Sequence, residues 1–247
     1  MFDVLFGFAL ILTRISAFFV ILPVFGWRAI PVRIKVAATV LLSVFFAAVN
    51  PLAIDVTTVS TIKAVLLLAS EATYGLALGL IVALLFSVVK LSGQIIERQM
   101  GLMMANVLDP MTGETARPLG SLLEMIFILL FLGANGHHLF LLIISKSYAA
   151  FPAGTIPTMA VLAKGVIMSG SAMLIAGLRL AAPMLAAFLV LMVALALLAR
   201  LVPEMNILFI SMPVRMGLGL IMCATFLPFV NGYVTEMAGW MSKLLPL

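Results

Sequence analysis

The sequence predicts an all-α membrane protein with about six hydrophobic helical segments, several of them short or kinked. Hydrophobic residues make up 65% of the 247 residues and charged residues only 9%, whereas a soluble domain has about 45–50% apolar residues and about 25% charged residues. The apolar residues form long runs rich in Ala, Leu and Met, which favour helices over the short alternating segments of a membrane barrel. The net charge of +5 comes from cations scattered singly between these runs, as at the ends of membrane helices. We therefore predict membrane lipid, and not nucleic acid, as the surrounding partner.

A membrane-crossing helix needs about 20 mostly apolar residues, and six regions approach this length. The first, residues 4–25, lacks the positive n-region of a signal peptide, so we expect it in the mature chain. The others cover residues 36–49, 64–89, 121–144, 166–199 and 207–230. Proline interrupts the fifth at Pro183 and the sixth at Pro213 and Pro228. Because broken helices are tolerated at membrane depth where protein surrounds them, we expect a subunit packed among other subunits.

Proline-containing connectors join most of these segments, and one connector, residues 90–120, is long and polar. Lys and Arg are more numerous, seven against four, on the side of the first, third and fifth connectors. The positive-inside rule places that side in the cytoplasm and both termini outside.

No arrangement of residues is typical of catalysis. His137 and His138 are adjacent, so on a helix they would point about 100° apart and not share a metal. We interpret them as a pair at a helix end, and Gly217 and Gly219 as a close-packing face. The sequence contains no P-loop, nucleotide-binding glycine motif or serine elbow. It therefore predicts no enzyme, cofactor or metal.

Charged residues also fall inside the apolar segments, where each costs about 2.5–3.5 kcal/mol on insertion scales and usually faces protein or water. They are Arg14, Glu71, Glu124, Arg179 and Arg215. A proton or ion relay is one interpretation, and pairing between helices or snorkelling is the other. Because no segment has more than one acid, we favour pairing and predict Arg14, Arg179 and Arg215 as buried inter-helix charges.

Four stretches of the chain carry a family resemblance. They read PVFGWRAIPVRIK at residues 23–35, GQIIERQMGLMMANVLDP at 93–110, LFLGANGHHL at 130–139 and ARLVPEMNILF at 199–209. These stretches, in this order, resemble the FliR family of flagellar biosynthesis proteins and the homologous subunits of virulence type III secretion systems. The resemblance covers nearly the whole chain.

The resemblance implies an export-gate subunit of the flagellar type III protein export apparatus in the bacterial inner membrane, at the flagellar basal body. The implied partners are FliP-like and FliQ-like gate subunits, an FlhB-like switch protein and unfolded export substrates. Residues 1–165 would be a FliP-like helical part, and residues 166–247 a FliQ-like hairpin with a short tail. Its cytoplasmic turn would lie at Arg200, Pro203 and Glu204. A virulence secretion subunit and a small proton-coupled secondary transporter remain alternatives, although the inverted repeats typical of transporters are not evident.

In this family the segment after the third span enters the channel and plugs it, and here that segment is residues 101–118. The implied plug residues are Gly101, Leu102, Met103, Met104, Asn106, Val107, Leu108, Asp109 and Pro110. A solvated loop would not favour so many apolar side chains, whereas methionine can fill an irregular gap and form a deformable seal. Packing of the methionines in an ordinary apolar core is the other interpretation.

Overall fold

The computed structural model describes residues 2–23, 30–49, 60–102, 118–155, 159–202 and 206–244. Throughout these ranges the regular structure is helical and contains no strand. The helices are α1 (Phe2–Ile21), α2 (Val32–Val49), α3 (Thr61–Met100), α4 (Pro118–Gly133), α5 (His137–Ala150), α6 (Met159–Leu201) and α7 (Ile207–Leu244). The predicted all-α fold class is confirmed.

Helices α1, α2, α3 and α6 are each long and apolar enough to cross a membrane, and the pair α4 and α5 adds a fifth candidate if it forms one broken span. The apolar stretch of α7, Phe209–Thr225, is shorter. With 40 and 43 residues, α3 and α6 are each roughly 60 Å long at 1.5 Å per residue. The hydrocarbon core is only about 30 Å thick, so both helices are longer than a single perpendicular crossing requires.

Several of the predicted segments have different bounds in the structure: α6 begins seven residues before the predicted start at residue 166, and α7 continues to Leu244 beyond the predicted end at residue 230. The third was predicted to end at residue 89, but α3 continues to Met100. Polar side chains of this extension bind α4: Lys90 pairs with Glu124, and Glu97 accepts backbone N–H groups. The fourth, predicted as one run over residues 121–144, is interrupted between α4 and α5. There Asn135 adopts a φ of 60°, a left-handed conformation that ends a helix.

The chain divides into two compact units that alternate along the sequence. Unit 1 comprises Met1–Leu85, Asn135–Ser171 and Met237–Leu247. Aromatic rings fill its core: the centroids of Phe18 and Phe140 lie 6.5 Å apart, and those of Phe46 and Tyr148 lie 5.8 Å apart. The first pair meets edge to face and the second is tilted, and aromatic pairs at such distances stabilise a core beyond the burial of their area.

Unit 2 comprises Phe86–Ala134 and Ala172–Glu236. Its core is centred on Phe127, whose ring centroid lies 5.2 Å from that of Phe86 and 5.8 Å from that of Tyr233. The ring of Phe131 packs against Phe86 at 4.9 Å. The division of the chain at residue 165 rests on the family resemblance and not on compactness, so it stays a prediction.

Large apolar side chains cover the outer faces of α2 and α6. Leu41 and Phe45 of α2 are 69% and 57% exposed, and Leu189 and Val190 of α6 are 64% and 66% exposed. Contiguous apolar faces of this kind are unfavourable in water. Lipid or other subunits are therefore the medium in which these helices are stable.

Candidate functional site

A buried ion pair joins α1 to α3 in unit 1. Nε of Arg14 donates to Oε2 of Glu71 at 2.5 Å, and the two side chains are 3% and 1% exposed. The other carboxylate oxygen of Glu71 accepts the backbone N–H of Gly154 at 2.8 Å. Gly154 has a φ of 85°, which glycine adopts without steric cost. Each charge thus has a hydrogen-bonded partner, as buried charges require.

The same guanidinium caps the C-terminal end of α5. Nη1 of Arg14 donates to the carbonyl oxygens of Ser147 at 3.2 Å and Phe151 at 2.9 Å. Carbonyls in the last turn of a helix have few intrahelical partners, and a cation there also interacts favourably with the helix dipole. The rings of Tyr74 and Tyr148 lie 4.6 and 4.4 Å from Cζ, within cation–π range. Arg14 therefore holds three helices of unit 1 together.

The two other predicted inter-helix arginines have different surroundings. Arg179 on α6 is exposed, and Arg215 on α7 is half-buried. Neither forms an ion pair with an acid within the described ranges. Burial of these two residues between helices stays a prediction, which an assembly with other subunits would have to satisfy.

Two glycines one turn apart allow α1 to approach α3 closely. A Cβ on Gly79 would lie 2.8 Å from the carbonyl oxygen of Phe18, and a Cβ on Gly75 would collide with the carbonyl oxygen of Arg14. Small residues four positions apart characterise close helix pairs in membranes. The GLALG spacing at residues 75–79 carries this signal, although sequence analysis singled out Gly217 and Gly219 instead.

Of that predicted pair, Gly219 does pack closely in unit 2. A Cβ there would lie 2.5 Å from Sδ of Met100 on α3. Gly217 has open space around it among the described residues. Of the two predicted glycines, Gly219 alone packs closely against a described residue of this chain.

We predict that Gly75→Leu strongly reduces the stability of unit 1, because the added side chain must displace the backbone of α1. Overpacking of this kind typically costs about 1–3 kcal/mol or more. The measurement is the midpoint of thermal unfolding of the protein in its native membranes. Gly170→Leu on α6 is the matched control, since a Cβ there meets no described atom within 4 Å. Equal midpoints for the two variants would contradict the proposed role of the close approach.

The structure describes both flanks of the predicted plug but not its centre. Gly101 follows α3 with a φ of 78°, Leu102 is half-buried, and α4 begins at Pro118. The remaining predicted plug residues lie outside the described residues, namely Met103, Met104, Asn106, Val107, Leu108, Asp109 and Pro110. The role of this segment therefore stays a prediction.

Glu97 connects these flanks in unit 2, and sequence analysis did not single it out. Its Oε1 accepts the backbone N–H groups of Leu119 and of Gly120, the latter at 3.0 Å. The side chain is 2% exposed, and it meets the N-terminal turn of α4, where N–H groups lack intrahelical partners. Nothing in the local sequence indicates which distant N–H groups a single glutamate will bind.

The remaining sites predicted from the sequence are less informative. Arg200 is exposed in the last turn of α6, while Pro203 and Glu204 lie outside the described ranges. His137 and His138 begin α5, with ring centroids 4.3 Å apart. Across the described residues, no three His, Cys, Asp or Glu side chains are grouped to hold a metal ion.

Long apolar helices, with buried charges that pair with each other and with helix ends, define a multi-pass membrane protein whose polar residues organise helix packing. A comparison with family models matches residues 5–240 to bacterial export proteins, family 1. The chain belongs to this family, which confirms the predicted resemblance to FliR.

Individual relatives agree with this assignment. The chain is 32% identical over 224 residues to the flagellar biosynthetic protein FliR of Bacillus subtilis, a match that covers 87% of this chain and 84% of the relative. It is 29% identical to the FliR of Pectobacterium carotovorum, over 94% of this chain and 88% of that protein. It is also 28% identical to the Yop proteins translocation protein T of Yersinia pestis, over 84% and 80% of the two chains. The family thus extends to both flagellar and translocation proteins.

Proposed function

We propose that this protein is a subunit of the flagellar type III export gate, located in the bacterial inner membrane at the flagellar basal body. The observation that carries the proposal is the match of residues 5–240 to an export family whose relatives include flagellar biosynthetic proteins. With FliP-like and FliQ-like subunits, the chain would surround a channel for unfolded flagellar substrates. An FlhB-like switch protein would contact the assembled gate.

The exposed apolar helices support a place within such an assembly. The membrane-crossing windows of α2 and α6 are only 11% and 22% buried inside the chain, against 56% for α3. Association of membrane helices depends on packing and on polar contacts between them. Faces of α2 and α6 could supply the packing, and Arg179 and Arg215 the polar contacts, towards neighbouring subunits.

Within the gate, we assign residues 101–118 the role of closing the resting channel. Their apolar residues would line a narrow passage and exclude hydrated ions, as hydrophobic constrictions do. During export the segment would move aside to let substrate pass. The contacts at both flanks support this role, because they hold the ends of the segment in place.

Two alternatives are less well supported. A virulence secretion subunit agrees with the Yersinia relative, but the greater identity to the Bacillus flagellar protein favours flagellar export. A proton-coupled transporter would gather ionisable groups around a substrate site near the membrane centre. In this chain Glu71 is paired with Arg14, and Glu97 accepts backbone N–H groups, so both acids serve in helix contacts.

Co-expression provides the test of the assembly. Expressed alone in detergent, the chain should aggregate or degrade, because Arg179 and Arg215 pair with no acid among the described residues and apolar detergent tails cannot replace a polar partner from another subunit. Expressed with FliP-like and FliQ-like subunits, it should be recovered in one stable complex by affinity purification and size-exclusion chromatography. The matched control is co-expression with an unrelated membrane protein of similar size. A stable, monodisperse single chain that ignores these subunits would contradict the proposal.

A further inference from the structure

We infer that Glu97 is a positioning residue that fixes both ends of the segment between Leu102 and Leu119 at one point of unit 2. The inference concerns described contacts, and its consequence for the channel rests on the proposed function of residues 101–118. Glu97 would not move with the segment. It would form the fixed base from which the segment extends.

The backbone of Glu97 sets how the chain leaves α3. Its carbonyl oxygen accepts the N–H of Leu102 at 3.3 Å, and the carbonyl of Arg98 accepts the N–H of Gly101 at 3.2 Å. With Gly101 at a φ of 78°, these two bonds form the Schellman motif that commonly ends helices. The direction in which the chain leaves α3 is therefore specified by hydrogen bonds and not left to solvent.

The side chain of Glu97 sets where the chain enters α4. Its carboxylate accepts the N–H groups of Leu119 and Gly120 in the first turn of that helix. An anion in this place also interacts favourably with the positive end of the helix dipole. Glu97 therefore binds the chain both at the end of α3 and at the start of α4.

Two further contacts lie between α3 and α4 behind this point, a close backbone approach and a partly exposed ion pair. A Cβ on Gly93 would lie 2.8 Å from Cα of Gly120, so the two backbones touch one turn before Glu97. One turn further back, Nζ of Lys90 pairs with Oε2 of Glu124 at 2.9 Å. The ends of the segment therefore start from a packed pair of antiparallel helix ends.

Loss of the carboxylate has a defined physical result. The N–H groups of Leu119 and Gly120 would lose their acceptor, and an unpaired buried polar group is costly. The first turn of α4 should then open more often, since local opening depends on the hydrogen bonds of that turn. The start of α4 would then no longer be fixed to the end of α3, and the proposed seal would lose one of its two attachment points.

The experiment compares Glu97→Ala, Glu97→Asp and Glu97→Gln in the complex with FliP-like and FliQ-like subunits. The first measurement is hydrogen exchange of the peptide that contains Leu119 and Gly120. Alanine should accelerate exchange about tenfold or more, because two hydrogen bonds to a charged group are lost. Aspartate, which keeps the charge but is one methylene shorter, should accelerate it less, and glutamine, which keeps length and an acceptor oxygen, least.

The second measurement is leak of a small ion from vesicles that contain the complex. We expect the leak to follow the same order, with Glu97→Ala highest. Glu124→Ala is the matched control: it removes an acid from the same helix pair, but its side chain is 25% exposed and that of its partner 43% exposed. It should change exchange and leak little, since exposed ion pairs contribute little.

The outcomes separate this inference from the proposed function. Unchanged exchange in Glu97→Ala, or faster exchange with glutamine than with aspartate, would overturn the positioning role. Faster exchange without leak would overturn its role in sealing, if deletion of residues 103–108 does cause leak. If that deletion causes no leak either, the sealing function fails while the exchange result still supports Glu97 as the base. If Glu97→Ala fails to assemble, the exchange rates of Glu97→Asp and Glu97→Gln decide whether Glu97 has the positioning role.

Discussion

Deleting residues 103–108 should make the assembled gate leak small ions several-fold faster than the parent complex. The deletion removes Met103, Met104, Val107 and Leu108, the apolar side chains that we propose to fill the resting channel. An apolar constriction excludes hydrated ions by dewetting, so its removal opens a path for water. The measurement is ion flux in vesicles or in cells that express the complete gate.

A matched substitution separates sealing from chain length. Met103→Leu combined with Met104→Leu keeps the apolar volume nearly constant, and such swaps are usually tolerated. This double variant should stay about as tight as the parent. Replacement of residues 103–108 by six Gly and Ser residues should leak like the deletion. If the assembled deletion complex stays tight, closure belongs to another subunit.

The second large effect is expected from Arg14→Leu. This variant leaves Glu71 buried without its cation, and it removes the donor to the carbonyls of Ser147 and Phe151. Breaking a buried pair from one side typically costs about 3–5 kcal/mol. In the complex with FliP-like and FliQ-like subunits, the thermal unfolding midpoint and the amount of protein recovered from membranes should both fall markedly.

Two comparisons make this prediction specific. Lys90→Leu also breaks an ion pair, but that pair is partly exposed, so we expect about 0–1 kcal/mol. Combining Arg14→Leu with Glu71→Leu removes the uncompensated carboxylate and should restore part of the loss. Arg14→Leu behaving like Lys90→Leu would show that the buried pair does not organise unit 1.

The long apolar runs were sufficient to predict most helices but not their ends. The long α6 was predicted in spite of Pro183, because an apolar run of that length has few other solutions in a membrane. The extension of α3 to Met100 was missed because its last turns are polar, and their contacts with α4 are made across the chain. The break at Asn135 lies within a Gly-Ala-Asn-Gly sequence, which was not recognised as a turn because apolar residues continue on both sides of it.

Partners of single charged residues were harder to predict than the charges themselves. The free-energy cost of a charge inside the membrane was enough to single out Arg14. Its pairing with Glu71 and with the end of α5, however, depends on how three helices pack together. Glu97 lies in a stretch quoted for the family resemblance, but the N–H groups that it binds are more than 20 residues away in sequence. Such contacts arise from tertiary packing, which a single sequence does not display.

The most direct test of the central claim is substrate export in a bacterium that lacks only the gene for this protein. We predict that flagellar substrates are no longer secreted, although they are still synthesised, and that the intact chain restores secretion. The Arg14→Leu variant should restore little, while Lys90→Leu should restore nearly all of it. Normal secretion in the absence of the protein would contradict its assignment as a subunit of the export gate.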